Sequence, residues 1–202
     1  MKKLNQYERN ICKCYRSATD QEREYGHKWY RVQHDCCVVI AERYHTTIEI
    51  VCGVVSAISP GLRWERNLYW AEQLIAFPGA DDIKVPTYRY SNVDKAKRII
   101  NGASPDMVLS GPKVTAFYRL LLDPCNDTDV CVDGHAYNIA TDQDKCIRFN
   151  DSNARETTKI SQPVLRDVVK AYVSVAKRLR VHPHQVQATT WLTWRNASHD
   201  GE

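Results

Sequence analysis

Apolar residues recur at helical spacing along almost the whole chain, and nowhere do they alternate with a period of two over more than a few positions. Segment 19–44 sets Trp29, Val32, Cys36, Cys37, Ile40, Ala41 and Tyr44 on one stripe with a polar back. Thr47 stands where it caps a helix carrying Val51, Val54, Val55 and Ile58, stopped by Ser59-Pro60-Gly61. A third helix carries Leu68, Ala71, Leu74 and Ile75 and ends near Pro78-Gly79. Segment 80–91 is loop-like, after which Asn92 reads as the cap of a short helix with Val93, Ala96, Ile99 and Ile100, closed by Asn101-Gly102. Ser104-Pro105 starts another short turn, because proline at the first helical position gives up only an amide that has no helical partner.

The pattern continues after a break at Ser110-Gly111-Pro112, with Val114, Phe117, Tyr118 and Leu121 on the next stripe. Asp123 to Asp129 is rich in turn residues, and Val130-Cys131-Val132 is too short for a sheet of its own. Segment 141–162 is polar and reads as an insertion. A long helix with Leu165, Val168, Val169, Tyr172, Ala176 and Leu179 runs to about Arg180, and Pro183 opens a last one ending around Trp194. The expected class is all-α.

With 202 residues, 43% of them hydrophobic, the chain can bury one sizeable core or at most two small lobes. No apolar run is long enough to span a bilayer, so no membrane partner is expected. The opening Met1-Lys2-Lys3-Leu4 lacks the apolar stretch of a secretory signal, which points to a reducing cytoplasm and to eight free thiols rather than a disulfide framework. Cys36, Cys37 and Cys52 read as small buried hydrophobes. Cys12 and Cys14 lack a second pair at zinc-site spacing, and Cys125, Cys131 and Cys146 are too scattered for an iron–sulfur run, so neither metal nor cofactor is expected. The net charge of +4 leans weakly toward a polyanionic partner.

The stretch 108–140 carries the chemistry. It reads as a helix, a tight turn (Leu109-Ser110-Gly111-Pro112-Lys113), a helix, a loop, and then Val132-Asp133-Gly134-His135 opening another helix. A turn that leaves amides exposed at a helix start is a ready phosphate site, and Lys113 adds a positive charge beside it. Asp133 falls at a helix N-terminus, where free amides and the macrodipole favour the ionised carboxylate. Such a carboxylate can stabilise an oxocarbenium-like sugar and orient water for attack, or it can simply cap the helix.

The order of these signals resembles the helix–hairpin–helix (HhH-GPD) DNA glycosylase superfamily, in which a hairpin ending in Thr-Ala precedes an apolar helix, a loop and a Val-Asp-Thr-His segment. Here the corresponding runs are Leu109-Ser110-Gly111-Pro112-Lys113-Val114-Thr115-Ala116 and Val132-Asp133-Gly134-His135-Ala136. Upstream, Val54-Val55-Ser56-Ala57 is similar to the family's Leu-Leu-Ser-Ala segment, and residues 90–100 to the stretch around its Tyr-x-x-Lys-Ala. The similarity covers about residues 48–142. A second one spans nearly the whole length. Trp29-Tyr30, residues 53–60 with Trp64-Glu65-Arg66-Asn67, Gly111-Pro112-Lys113, and Gln187-Ala188 through Trp194-Arg195 resemble an uncharacterised phage and actinobacterial family.

The HhH-GPD resemblance implies one domain over 1–202 with two helical lobes and a cleft between them, its core at about 48–142 and the lobes completed by helices from 1–47 and 162–195. It implies DNA as partner: the phosphate backbone held by Ser110, Gly111, Lys113 and Thr115, and a flipped base. Asp133 would be catalytic, with His135 a candidate acid–base partner. Trp64, Glu65, Arg66 and Asn67, following a Pro-Gly turn, are candidates to line the base pocket by stacking and hydrogen bonding, or alternatively to anchor a helix start. Two departures shape the expected reaction. Pro112 removes one hairpin amide, and the position of the lyase lysine holds Val114, with Lys113 about 100° around the helix. The expectation is therefore monofunctional N-glycosidic hydrolysis without lyase chemistry. The alternatives are a phage-type transferase acting on activated hydroxymethyl pyrimidines and a non-catalytic DNA-binding module.

Overall fold

The computed structural model describes residues 5–80, 82–87, 90–142 and 161–197. Ten α-helices account for the regular structure there, and no strand occurs among the described residues. They are α1 (Gln6–Ser17), α2 (Asp20–Arg43), α3 (Ile48–Ile58), α4 (Trp64–Ala76), α5 (Tyr90–Ile100), α6 (Pro105–Val108), α7 (Pro112–Leu122), α8 (Gly134–Thr141), α9 (Gln162–Leu179) and α10 (Pro183–Ala197). The chain divides into two compact units, one of residues 1–30 with 125–202 and one of residues 31–124, with the boundary inside α2. The expected polar insertion falls mostly on residues 143–160, outside the described residues, as does Cys146. No helix among the described residues is long and apolar enough to cross a membrane.

In the 31–124 unit α3 is the central element, and its sequence says why. From Val51 to Ile58 it has no charged residue, and every one of these side chains is buried. A helix apolar on all sides has to be enclosed on all sides. Helices α4, α5, α6 and α7 pack around it. Gly53 allows the closest approach: a Cβ there would lie 2.9 Å from Cγ of Pro105 and 3.2 Å from Cγ2 of Ile99.

The other unit is built on α1, α8, α9 and α10, whose facing stripes bury Ile11, Tyr15, Ile139, Val168, Tyr172, Val175 and Val186. The first half of α2 lies along α10, joined by the hydrogen bonds Gln185 Nε2 to His27 O at 3.1 Å and Tyr30 Oη to Gln187 Oε1 at 3.3 Å. Helix α1 opens with a capping box, in which Asn5 and Glu8 satisfy each other's backbone amides.

The helix ends largely follow the residues that mark them. Thr47 accepts from the Ile50 amide, and Pro105, Pro112 and Pro163 each sit in a first turn. Gly102, at φ +92°, closes α5, with Ala103 N bonded to Arg98 O. Asn92 differs from expectation: α5 begins at Tyr90, so Asn92 lies inside the first turn and not at its cap. Its Nδ2 donates to Thr87 Oγ1 at 3.1 Å, and that hydroxyl in turn donates toward the carbonyls of Ile58 and Pro60 at 3.0 and 3.1 Å. Asn92 thus ties the start of α5 to the orphan carbonyls at the end of α3.

Two more helix C-termini are met in the same manner. Asn10 Nδ2 donates to Ala140 O at 2.8 Å, at the end of α8, and His34 Nδ1 lies 2.8 Å from Leu121 O, at the end of α7. A carbonyl can only accept, so Nδ1 of His34 carries the proton.

Candidate functional site

The turn between α6 and α7 lies in the 31–124 unit. Leu109 N bonds back to Pro105 O at 2.8 Å, which ends α6, and Gly111 then takes φ +89°, ψ 135°. Few residues other than glycine hold that conformation, so the reversal depends on Gly111. Pro112 starts α7 with its fixed φ, and no side chain caps that helix start. Ser110, Gly111, Pro112 and Lys113 are exposed together. Thr115, half-buried, turns its hydroxyl back onto Gly111 O at 3.0 Å, which pins the turn from within. Lys95, from α5, donates from Nζ to Ser110 Oγ at 2.6 Å. Two lysines and an uncapped helix start therefore meet at one exposed turn, where amides and ammonium groups can hold a phosphate.

The four residues after the Pro-Gly turn divide between two faces. Arg63 is the N-cap residue of α4, and the sequence from Trp64 onward is already helical. At about 100° per residue, four consecutive side chains cannot share a face. Glu65 and Arg66 are exposed, Trp64 is half-buried with its ring edge-on to Phe117 at 6.2 Å, and Asn67 is buried. Asn67 Oδ1 has no hydrogen-bond partner among the described residues. A buried acceptor left open in this way costs about 1–3 kcal/mol. Of the quartet, Asn67 and Trp64 are the pair turned into the unit.

Asp133 and His135 belong to the other unit. Asp133 is the N-cap residue of α8: its Oδ1 accepts from Ala136 N at 2.8 Å, and the residue is half-buried. Two buried tyrosines lie in the same unit, Tyr172 from the apolar stripe of α9 and Tyr30 from α2. Tyr30 and Tyr172 are wholly buried, and burial first, with the nearby negative charge of Asp133 among the lesser causes, pushes both phenols far above their ordinary range. Tyr172 Oη donates to Ala136 O at 3.3 Å and lies 3.4 Å from Thr190 Oγ1, so α9 grips the first turn of α8 and joins it to α10. The carboxylate is thereby fixed by its own helix, whose first turn Tyr172 holds from α9.

His135, half-buried, meets Trp191 edge-on at 6.4 Å, and the Arg195 guanidinium lies 4.5 Å above the same indole. Trp191 thus faces outward in a cation–π stack, whereas Trp194, three residues on, packs against the core. Three residues are about 300° apart on a helix, so the two indoles share an edge of α10 and can still differ in depth.

His182 and His184 stack at 5.3 Å with an interplanar angle of 15°, and His184 Nδ1 lies 3.1 Å from Asn126 O. No group of three or more His, Cys, Asp or Glu side chains suited to a metal occurs among the described residues. No disulfide joins the cysteines there. Cys12, Cys37, Cys52 and Cys131 are buried, Cys14 and Cys36 are partly so, and Cys125 is exposed; of the three expected buried, Cys36 is only partly covered. Cys37 and Cys52 share a hydrogen bond, and that contact, with burial, raises the Cys52 thiol far above its ordinary range.

Tyr30, Gln187, Trp191 and Arg195 lie on α2 and α10, in the unit that holds α8. The chain matches no curated protein and no solved structure. Residues 1–198 match one family along nearly the entire sequence, and the chain accordingly belongs to the family described as Family of unknown function (DUF7178).

Proposed function

We propose that this protein binds DNA through the α6–α7 turn and hydrolyses the N-glycosidic bond of a flipped, modified or damaged base with Asp133, without lyase activity. The observation that carries the reading is the exposed glycine turn at an uncapped helix start, flanked by Lys95 and Lys113; the other unit supplies a carboxylate, Asp133, at the start of α8. At the turn, uncapped amides and two ammonium groups hold a backbone phosphate. At Asp133, the carboxylate stabilises positive charge developing on the sugar as the C1′–N bond breaks. The bonding pair leaves with the base, which takes up a proton. A water oxygen forms the new bond to C1′, and its proton passes to the carboxylate or to solvent. Val114 stands where a Schiff-base lysine would be needed, so the abasic strand stays intact.

The bond from Ala136 N to Asp133 favours a second reading, in which the carboxylate only caps α8 and the protein is a DNA-binding module. Duplexes carrying a panel of modified and damaged bases separate the two. Hydrolysis gives alkali-labile sites that need heating in base to become strand breaks, and Asp133→Asn abolishes them while DNA affinity is kept. A panel that yields no alkali-labile site with the wild-type protein refutes the hydrolase reading. Binding that persists in that case leaves the module.

A further inference from the structure

We infer that the cavity where α9 turns into α10 is a second contact for the DNA backbone, apart in sequence from the α6–α7 turn; this rests on the DNA-binding reading. The cavity measures about 530 Å³, and Asp127, Lys177, Arg180, His182, Pro183 and Gln185 are among its lining residues. Two permanent cations thus face one carboxylate. Neither Lys177 nor Arg180 is drawn into an ion pair with a carboxylate among the described residues.

Arg180 is one of three residues other than glycine with a positive φ among the described residues, with His45 and Asp142. It caps α9 in the left-handed conformation, φ +59°, ψ 43°, with its N–H bonded to Ala176 O. Glycine occupies that position at least cost in most helices. A long cationic side chain held there instead is strained, so loss of the strain and loss of the charge can be told apart by substitution. Opposite it, the His182 ring is fixed by stacking on His184, which is buried and lies against Asn126 O. The wall of the cavity is therefore set by packing, and its cations stand at the rim.

The form of the cavity selects the ligand. Sites for small molecules enclose most of their ligand within a largely apolar lining. Here Lys177, Arg180 and Asp127 are all exposed, so the charged part of the lining opens to solvent beside the apolar part made by Val173, Ala176 and Val181. A polymer crossing the opening and presenting successive phosphodiesters is the matching partner, since each phosphate needs only a cation and a hydrogen-bond donor within reach.

The test is the salt dependence of binding to a duplex of arbitrary sequence, measured by fluorescence anisotropy. Lys177→Ala with Arg180→Ala should weaken binding severalfold and reduce the slope of log K against log [salt] by about 2, or about one per lost phosphate contact. Lys170→Ala, an exposed lysine elsewhere on α9, should change neither. Arg180→Gly relieves the strained cap, so it should hold or raise Tm while weakening binding; a merely structural role would leave binding intact. If Lys113→Ala weakens binding and the α9 variants do not, this inference falls and the DNA reading stands. If the wild-type protein fails to bind duplex at low salt, both fall. If inorganic phosphate saturates the cavity while the α9 variants bind duplex normally, the polymer assignment is wrong.

Discussion

Gly26→Ala offers the sharpest test of how the 1–30 and 125–202 unit is assembled, because two effects of opposite sign meet at one methyl group. Helix α2 crosses α10 at Gly26, and a Cβ there would collide with the Thr189 hydroxyl and lie 2.6 Å from Thr189 Cα and 2.7 Å from Thr189 N. Reaching ordinary carbon contact of about 3.5–4.0 Å demands roughly 1 Å of helix separation. The hydroxyl could rotate away, but the backbone atoms cannot. Overpacking of this kind costs about 1–3 kcal/mol, and a clash with backbone belongs at the upper end. Against it stands a gain of about 1 kcal/mol from alanine's better helix propensity. The net expectation is a loss of about 2 kcal/mol, or a fall in Tm of about 4–8 °C for a chain of this size. Differential scanning calorimetry reads it directly. Gly79→Ala is the control, since a Cβ there meets nothing within 4 Å, and it should stay within about 0.5 kcal/mol of wild type. A rise in Tm for Gly26→Ala would mean that propensity wins and that the close crossing of α2 and α10 is not a feature of the folded protein.

Asp133→Ala should cost about 1 kcal/mol by removing the cap on α8, whereas Asp133→Asn keeps an accepting oxygen and should cost only a few tenths; denaturant melts of both separate capping from charge. Gly111→Ala should lose about 1–3 kcal/mol through its positive φ although its surroundings are open, and should weaken DNA binding together with stability. His27, whose ring lies 2.7 Å from Tyr15 Oη, is held below its ordinary 6.5 by burial first and by Arg23 second. The unfolded chain then binds the proton more readily, so stability is complete above about pH 6.5 and declines as pH falls toward the depressed folded value. His27→Gln should flatten that part of the stability–pH curve. Among the described cysteines, Cys125 should react first with a maleimide under native conditions and Cys52 last, with mass spectrometry of digests assigning the sites.

Local signals were legible where one residue or one stripe suffices. Apolar spacing located α2, α3, α4, α5, α7 and α9 but gave no stripe for α1, prolines marked the first turns of α6, α7 and α10, Gly102 closed α5, and Gly111 marked the reversal before α7. Asp133 was placed at the start of α8 by the same means. What the sequence could not display is which side chain satisfies a carbonyl far along the chain. Asn10 reaches Ala140 across 130 residues and His34 reaches Leu121 across 87, and no spacing rule links such partners. Asn92 shows the limit most clearly, since an asparagine before an apolar run looks like a cap, yet its amide is used on Thr87. The support of the α8 start is hidden for the same reason. Tyr172 lies on the regular stripe of α9, and only packing reveals that its hydroxyl reaches Ala136 O. An apolar stripe shows that a tyrosine is buried, not what its oxygen does, and a buried oxygen must be matched. Tyr172→Phe should therefore retain the core and lose the hydroxyl that ties Ala136 O to α10, at about 0.5–1.5 kcal/mol. If the same change lowers turnover in the proposed hydrolysis far beyond that energy, Tyr172 is part of how Asp133 is positioned; if turnover follows stability alone, it is only part of the core.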